Sequence, residues 1–232
     1  MEVLAHYRLE DPVASIVLDD GKANVVSLRM LEQLNAALDR AEEDRAIVLL
    51  SGRPRVFSAG FDLQTLLGGG PDAIAMLRGG FELADRLLSF PRPVVVACSG
   101  HAVAMGVFLL LSGDYRVGAA GSYRLTANEV EIGLTMPIAA VEILRHRLTP
   151  AAFQRAVALA EVFSPDNAVE AGFFDRVVEA ERLHETSREF AAGLARLDMA
   201  AHAGSKRRAR EQMLLALRAG IESDFPLSGF RV

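Results

Sequence analysis

The stretch that decides the fold is VVVACSGHAVAMG, residues 94–106. Its first five residues form an apolar run typical of a buried strand, and the small residues near its end allow the main chain to expose its own N–H groups. A second stretch of the same kind, VFSAGFDL at residues 56–63, follows the apolar run AIVLL at residues 46–50. Two N–H donors that converge on one oxygen form an oxyanion hole, so the two stretches together predict such a site.

The composition is that of a globular protein with one large domain, or a domain and an appendage. The chain has 232 residues, of which 51% are hydrophobic and 24% charged, enough to bury a substantial core. Its net charge of −5 gives no general attraction to nucleic acid or to an anionic membrane, and neither is expected as a partner. The single cysteine, Cys98, cannot form an internal disulfide and is predicted to be a packed thiol, which suits a reducing cytoplasm.

The chain shows no targeting signal that would contradict a cytoplasmic location. Its first residues, MEVLAHY, have neither the basic nor the apolar region of a secretory signal. The most apolar stretch, residues 94–111, approaches membrane-spanning length but is interrupted by Ser99-Gly100-His101. A strand, a turn and a helix are predicted there instead of a membrane span, and the protein is expected to be cytoplasmic.

Short strands alternate with helices in the first part of the chain. Ser27 is a suitable N-cap for a first helix, and helical spacing of apolar residues predicts further helices over residues 74–88 and 106–111. Beyond Pro137 the pattern becomes almost wholly helical. Strands are predicted at residues 15–18, 46–50, 94–98, 115–117 and 123–125.

Two proline pairs mark helix starts in the later part of the chain. Thr149-Pro150 and Ser164-Pro165 each place a hydroxyl before a proline at the first helical position, and Gly172 suits the end of the second helix. Together with the alternating strands and helices of the first part, these signals predict an α/β fold. We expect a strand-rich core over residues 1–137 and a helical region over residues 138–232, and we expect the helical region to join subunits and to cover the pocket. The apolar residues that predict an interface in this region are Leu194, Leu197, Met199, Met213, Leu214 and Leu217.

A third stretch, LTANEVEIGLTMP at residues 125–137, completes the pattern. Together the three stretches resemble the crotonase (enoyl-CoA hydratase/isomerase) family over about residues 10–180, whose oxyanion hole holds the thioester oxygen of an acyl-CoA. Carried over residue by residue, the two donors fall on the backbone N–H groups of Phe61 and Met105. The resemblance implies a crotonase-type spiral of repeated strand–strand–helix units that assembles as a homotrimer or hexamer.

The second donor segment departs from the family pattern. The family has a Gly-Gly-Gly-like run there, and this chain has Ala104-Met105-Gly106. A backbone N–H survives any side chain except proline, but the side chain of Met105 is expected to narrow the space above the thioester.

The resemblance also implies a catalytic carboxylate, which falls on Glu129. The Asn-Glu pair at residues 128–129 is similar to that of monofunctional 3,2-enoyl-CoA isomerases. Hydratases of the family have a second glutamate, and Phe108 takes its position here. An aromatic ring cannot carry a proton and should make the pocket drier, which raises the pKa of Glu129 by desolvation. Glu131 is the alternative base, because in an extended segment it would point to the same side.

Contacts to the CoA moiety follow from the same resemblance. The segment KANVVS at residues 22–27 is similar to the family's Asn-Ala-Leu segment, where main chain and a basic residue meet the pantetheine and phosphates. It predicts contacts at Lys22 and Ala23. The other substrate and CoA contacts predicted from the resemblance are Ser58, Gly60, Asp62, Leu63, Gly106 and Phe108.

The activity favoured by these residues is isomerisation of a 3-enoyl-CoA to a trans-2-enoyl-CoA, because moving a double bond needs one base. Hydration of a trans-2-enoyl-CoA is the first alternative, and a catalytically weak protein that binds CoA esters or partner proteins is the second. No histidine has metal-ligand spacing and no dinucleotide-binding fingerprint is present, so no metal and no cofactor are expected apart from the CoA of the substrate.

Overall fold

The computed structural model describes residues 2–226, which contain two parallel-stranded sheets and a layer of helices. The strands are, in chain order, β1 (Ala5–Glu10), β2 (Val13–Leu18), β3 (Ile47–Gly52), β4 (Arg55–Ser58), β5 (Val94–Cys98), β6 (Gly100–Val103), β7 (Tyr115–Ala119), β8 (Leu125–Thr126) and β9 (Arg176–Val178). The larger sheet has the order β1-β2-β3-β5-β7-β9, and the smaller one the order β4-β6-β8. Apart from the antiparallel hairpin of β1 and β2, all these strands pair in parallel.

The chain visits both sheets in turn, which makes a spiral. β3, β5 and β7 lie in the larger sheet, and the strand after each, β4, β6 and β8, lies in the smaller one. The crossing from β5 to β6 is tight, because a Cβ placed on Gly100 would lie 1.9 Å from the carbonyl oxygen of Arg55. Only glycine leaves room for the two chains there. The predicted strand–strand–helix repeat is therefore confirmed.

Helices follow the strand pairs and then dominate the later chain. The helices are α1 (Leu28–Glu43), α2 (Leu63–Gly68), α3 (Gly70–Ser89), α4 (Met105–Leu111), α5 (Ile138–Arg147), α6 (Pro150–Leu159), α7 (Pro165–Ala171), α8 (Leu183–Gly193) and α9 (Met199–Asp224). Ser27 caps α1 by accepting a hydrogen bond from the N–H of Met30 at 3.2 Å. Pro150 and Pro165 begin α6 and α7, and Gly172 ends α7 with φ 96°, so these predicted boundaries are confirmed.

Strand β5 is buried on both faces, which explains its wholly apolar sequence. Val94, Val96 and Cys98 face the main core, beneath α1, α3 and α4, whereas Val95 and Ala97 face a second, smaller core under α8. Cys98 is buried and donates its thiol to the carbonyl oxygen of Gly100 at 3.2 Å, and burial raises its pKa to about 12. The prediction of a packed, unreactive thiol is confirmed.

The helical region differs from the sequence prediction in two ways. Strand β9 lies within it and pairs with β7, so the larger sheet receives its last strand from beyond residue 137. The division of the chain at that residue stays a prediction. In addition, Leu214 and Leu217 are not free for an interface, because both are buried in the main core of their own chain.

No helix within residues 2–226 is long and apolar enough to cross a membrane. The predicted strand–turn–helix over residues 94–111 is present instead, as β5, β6 and α4.

Candidate active site

A cavity of about 350 Å³ lies where β4, β6 and β8 end, beneath α3 and the C-terminal end of α9. Its wall is mostly apolar, with the side chains of Asn128, Glu129 and Thr135 as the polar exceptions. The remaining lining residues are Ala59, Phe61, Leu63, Leu66, Leu77, Phe81, Val103, Ala104, Ile132, Leu134, Pro137 and Phe225. A pocket of this kind suits an apolar ligand with one polar reacting group.

The loop from β4 to α2 leaves one main-chain donor free at the cavity. The N–H of Val26 donates to the carbonyl oxygen of Gly60 at 2.8 Å, and the N–H of Asp62 donates to that of Val26 at 3.4 Å. The N–H of Phe61, which lies between these two bonds, has no acceptor within residues 2–226. The role of first oxyanion donor that the resemblance implies for this N–H stays a prediction.

The turn from β6 to α4 leaves a second donor. Met105 is the first residue of α4, so its N–H has no partner inside the helix and none elsewhere in the described chain. The preceding residue, Ala104, has φ 48° and ψ −122°, and its own N–H donates to the carbonyl oxygen of Thr126 at 2.9 Å. This bond to β8 holds the strained turn in place.

The two loops touch, and glycines make the contact possible. A Cβ on Gly60 would lie 3.3 Å from the N of Met105 and 2.9 Å from the carbonyl oxygen of Val103. A Cβ on Gly106 would lie 2.4 Å from the carbonyl oxygen of Ser58. The unpaired N–H groups of Phe61 and Met105 therefore belong to adjoining loops, an arrangement that suits two donors to one oxygen.

The loop from β4 to α2, hereafter the first loop, is held by Asn24, a residue that the sequence alone does not mark. Asn24 is buried, and its side-chain amide donates to the carbonyl oxygens of Leu18 at 3.0 Å and Phe57 at 3.1 Å. The hydroxyl of Ser58 donates to the carbonyl oxygen of Asn24 at 2.7 Å and accepts from the N–H of Gly60 at 3.2 Å. Ser58 is predicted as a substrate or CoA contact, and its side chain is fully buried within this support.

Glu129 is the carboxyl group of the cavity. It is 8% exposed, and its Oε2 atom is buried without a hydrogen-bond partner in the described part of the chain. Desolvation by burial raises the pKa of Glu129 from 4.5 to about 7. No neighbouring charge contributes to this shift, so the carboxyl can hold or release a proton near neutral pH.

Glu131 does not share this environment. The chain turns after Glu129, whose carbonyl oxygen accepts hydrogen bonds from the N–H groups of Ile132 at 3.2 Å and Leu134 at 2.8 Å. The segment is thus not extended, and Glu131 is exposed and absent from the cavity wall. The same-side placement expected of the two glutamates is wrong.

Met105 and Phe108 lie deeper than the sequence suggested. The Met105 side chain is fully buried, and a Cβ on Gly80 of α3 would lie 3.3 Å from its sulfur, so it packs on α3 and does not line the cavity. The expected narrowing above the site is therefore absent. Phe108 lies behind Phe81, with ring centroids 5.7 Å apart, and contacts the cavity only through that ring.

The predicted CoA contacts cluster around the first loop. Lys22 is exposed, and the carbonyl oxygen of Ala23 accepts from the N–H of Ala59 at 2.9 Å. Asp62 caps α2, and the hydroxyl of Thr65, which donates to it at 2.7 Å, lowers the pKa of Asp62. Leu63 is 60% exposed and lines the cavity. Of these four predicted contacts, Leu63 is the one that the described residues place on the cavity wall.

A spiral of strand–strand–helix units, with two free main-chain donors and a buried carboxyl at one cavity, defines a crotonase-fold protein. Residues 8–228 match the family model described as enoyl-CoA hydratase/isomerase. The chain belongs to this enoyl-CoA hydratase/isomerase (crotonase) family.

Relatives within the family differ in the activity their names state. The chain is 32% identical to human "Enoyl-CoA delta isomerase 1, mitochondrial" over 75% of this chain and 60% of that protein. It is 30% identical to a "Probable enoyl-CoA hydratase" of Bacillus subtilis over 69% of this chain and 63% of that protein. Both matches span less than two thirds of the relative's own length.

A solved structure agrees with the fold along nearly the whole chain. It is described as the apo structure of the enoyl-CoA isomerase of Mycobacterium tuberculosis, is 48% identical, and superposes with a TM-score of 0.93. The match covers 96% of this chain and 98% of that one. A second structure of the same mycobacterial protein is described as that of a probable enoyl-CoA hydratase.

Proposed function

We propose that the protein isomerises a 3-enoyl-CoA to a trans-2-enoyl-CoA with one glutamate as the proton carrier. The observation that carries the proposal is Glu129, the one carboxyl group that residues 2–226 place on the cavity wall, with its pKa raised to about 7 and its Oε2 atom unpaired. A relative named an isomerase, at 32% identity, supports it, whereas the 48% identical mycobacterial protein is described as an isomerase in one structure and as a probable hydratase in another.

The reaction begins with the thioester oxygen held by the N–H groups of Phe61 and Met105. The Glu129 carboxylate removes a proton from C2, and the electron pair of that C–H bond spreads into the thioester, placing negative charge on the held oxygen. The neutral Glu129 then gives the same proton to C4, and the double bond moves from C3–C4 to C2–C3. Each main-chain donor contributes about 3 kcal/mol to stabilising the charged intermediate.

The CoA moiety lies, in this proposal, along the first loop. Lys22 supplies an exposed ammonium group for a CoA phosphate, and the main chain at Ala23 borders the pantetheine. Asp62 and Leu63 are proposed as further contacts beside this loop, whereas Gly60 and Gly106 are buried and contribute through the close approach of the two loops. The CoA arrives and leaves as part of the substrate, so the proposal needs no separate cofactor. We also propose that the protein is cytoplasmic and assembles as a homotrimer or hexamer.

Hydration is the second candidate because a relative at 30% identity is named a probable hydratase. That reaction requires a water molecule activated at C3, which two carboxylates do well. Within the described chain the cavity wall offers one carboxylate, and the position of the second is occupied by Phe108 behind an apolar ring. These features favour isomerisation. A protein that only binds CoA esters is the third candidate.

Steady-state kinetics with the two substrates tests the proposal. Isomerisation of a 3-enoyl-CoA should exceed hydration of the trans-2-enoyl-CoA of equal length, and both should be lost in Glu129→Gln. Faster hydration would make the protein a hydratase. Binding of both esters without either reaction would make it a CoA-ester-binding protein.

A further inference from the structure

A row of aromatic rings runs along the cavity away from the free donors. The ring of Phe61, whose N–H is the first donor, meets Phe81 edge-on with centroids 6.2 Å apart. Phe81 then stacks on Phe225, with centroids 5.6 Å apart and an interplanar angle of 11°. All three rings line the cavity. Phe225 is therefore two ring contacts away from Phe61, whose N–H is the first proposed donor.

Phe225 comes just after α9 and is held from two sides. Arg78 of α3, which is 9% exposed, donates to the carbonyl oxygen of Phe225 at 3.0 Å and to the carboxylate of Glu222 at 3.2 Å. On the other side, Asp224 accepts from the N–H of Ile138, the first residue of α5, at 2.6 Å. These bonds anchor the main chain of Phe225 to α3 and the end of α9 to α5, and the ring itself packs on Phe81.

We propose that Phe225 sets the length of acyl chain that the cavity accepts, and that Arg78 is the positioning residue that holds it there. The ring is 8% exposed and belongs to the apolar wall of the cavity, two ring contacts from Phe61, so a chain that reaches it must stop or displace it. The ligand is a linear acyl group attached to CoA. The choice of an acyl-CoA as the ligand rests on the proposed function, whereas the position of Phe225 on the cavity wall does not.

The decisive experiment compares Phe225→Ala with the unmodified protein on a series of 3-enoyl-CoA esters of increasing length. The variant should match the unmodified protein on the shortest esters. Each methylene that enters the opened space should raise kcat/KM about fourfold, so the longest accepted ester becomes longer. The matched control is Phe190→Ala, whose ring stacks on Tyr115 beside the smaller core, and it should leave the length profile unchanged. An unchanged profile in a folded Phe225→Ala variant would overturn the proposal.

Calorimetric binding of saturated acyl-CoA esters separates this inference from the proposed reaction. A shift of the affinity profile to longer chains in Phe225→Ala, in a protein that neither isomerises nor hydrates, would end the proposed function and keep the role of Phe225. If the protein isomerises 3-enoyl-CoA esters but Phe225→Ala leaves the binding profile unshifted, the proposed function stands and the role of Phe225 is refuted.

The role of Arg78 is tested by combining variants. Arg78→Ala should shift the length profile in the same direction as Phe225→Ala, and it should shift it no further when Phe225 is already alanine. Arg78→Lys should restore much of the original profile, because an ammonium group can still donate to the carbonyl oxygen of Phe225. A general loss of kcat/KM at every chain length, without a shift, would show that Arg78 is only structural.

Discussion

At the scale of single residues, the site depends on leaving polar atoms without partners. Buried polar atoms are usually hydrogen-bonded, because an unpaired one costs about 1–3 kcal/mol. The Oε2 atom of Glu129 and the N–H groups of Phe61 and Met105 are unpaired within residues 2–226. Glu129 and Phe61 line the cavity, and Met105 directly follows Ala104, which also lines it. Their concentration at one place is the strongest mark of function in the molecule.

The first prediction concerns the two neighbouring glutamates. Glu129→Gln should lower kcat by about 100-fold or more, because proton transfer by a positioned base contributes roughly 10²–10⁴-fold. Affinity for a CoA ester should change little. Glu131→Gln is the matched control, since Glu131 is exposed, and it should retain nearly full activity. If Glu131→Gln lost activity while Glu129→Gln kept it, Glu131 and not Glu129 would be the catalytic base.

The raised pKa of Glu129 also predicts how stability depends on pH. Because the folded protein holds this proton up to about pH 7 and the unfolded chain releases it near 4.5, folding stability falls as pH rises between these values. Glu129→Gln removes the charged form, so it should be more stable than the unmodified protein at pH 8, by at most about 3 kcal/mol, and nearly equal at pH 4.5. Denaturant unfolding at both pH values measures this. Equal stabilities at pH 8 would mean that the carboxylate is well solvated.

At the scale of elements, the two proposed oxyanion donors depend on backbone shape and not on side chains. Met105 sends its side chain into the packing against α3 while its N–H faces the other loop. Met105→Pro removes the donor and should lower kcat/KM by about 100-fold or more, whereas Met105→Ala keeps the N–H and most of the activity. Proline is tolerated at the first position of a helix, so the fold should survive. Kinetics and circular dichroism of both variants provide the test, and full activity in a folded Met105→Pro would refute the assignment.

Elements with a strong local signal were predictable from the sequence, and those defined by distant contacts were not. Strand β5 was predicted with its observed bounds because burial on both faces leaves five consecutive apolar residues. Strands β4 and β6 are four residues long, and the sequence does not predict them as strands. They pair with each other only because the main chain at Gly100 comes close to that at Arg55. Short strands carry too few alternating residues to show a period.

The candidate site divides in the same way. Glu129, Phe61 and Met105 lie in local motifs, so the sequence could mark them. Asn24 and Phe225 act through contacts with segments 33 and 147 residues away, such as the Asn24 amide to Phe57 and Arg78 to the carbonyl oxygen of Phe225. No pattern within a short window reports such contacts, which is why the support of the loop and the end of the cavity emerged only in three dimensions.

At the scale of the whole molecule, the surface beside the cavity carries unused apolar area. The turn after Glu129 and the start of α5 expose several large apolar side chains by 43–52%: Val130, Ile132, Leu134 and Ile138. A neighbouring groove is lined by Val130, Met136, Val141 and Val157 and joins this turn to α5 and α6. Contiguous apolar patches of this kind usually mark interfaces between subunits.

The last prediction is that the chain assembles through this surface as a trimer or hexamer. Light scattering at micromolar concentration should give a particle of about 75 kDa, three times the chain mass of 25.0 kDa, or of twice that value. Val130→Asp places a charge in the groove without touching the cavity wall, and it should favour smaller particles, because an unpaired charge is costly to bury. Leu215→Asp is the matched control, since Leu215 is 56% exposed on α9 outside the groove, and it should leave the particle size unchanged. A particle of about 25 kDa for the unmodified protein would be a monomer. It would show that the exposed apolar turn forms no subunit interface.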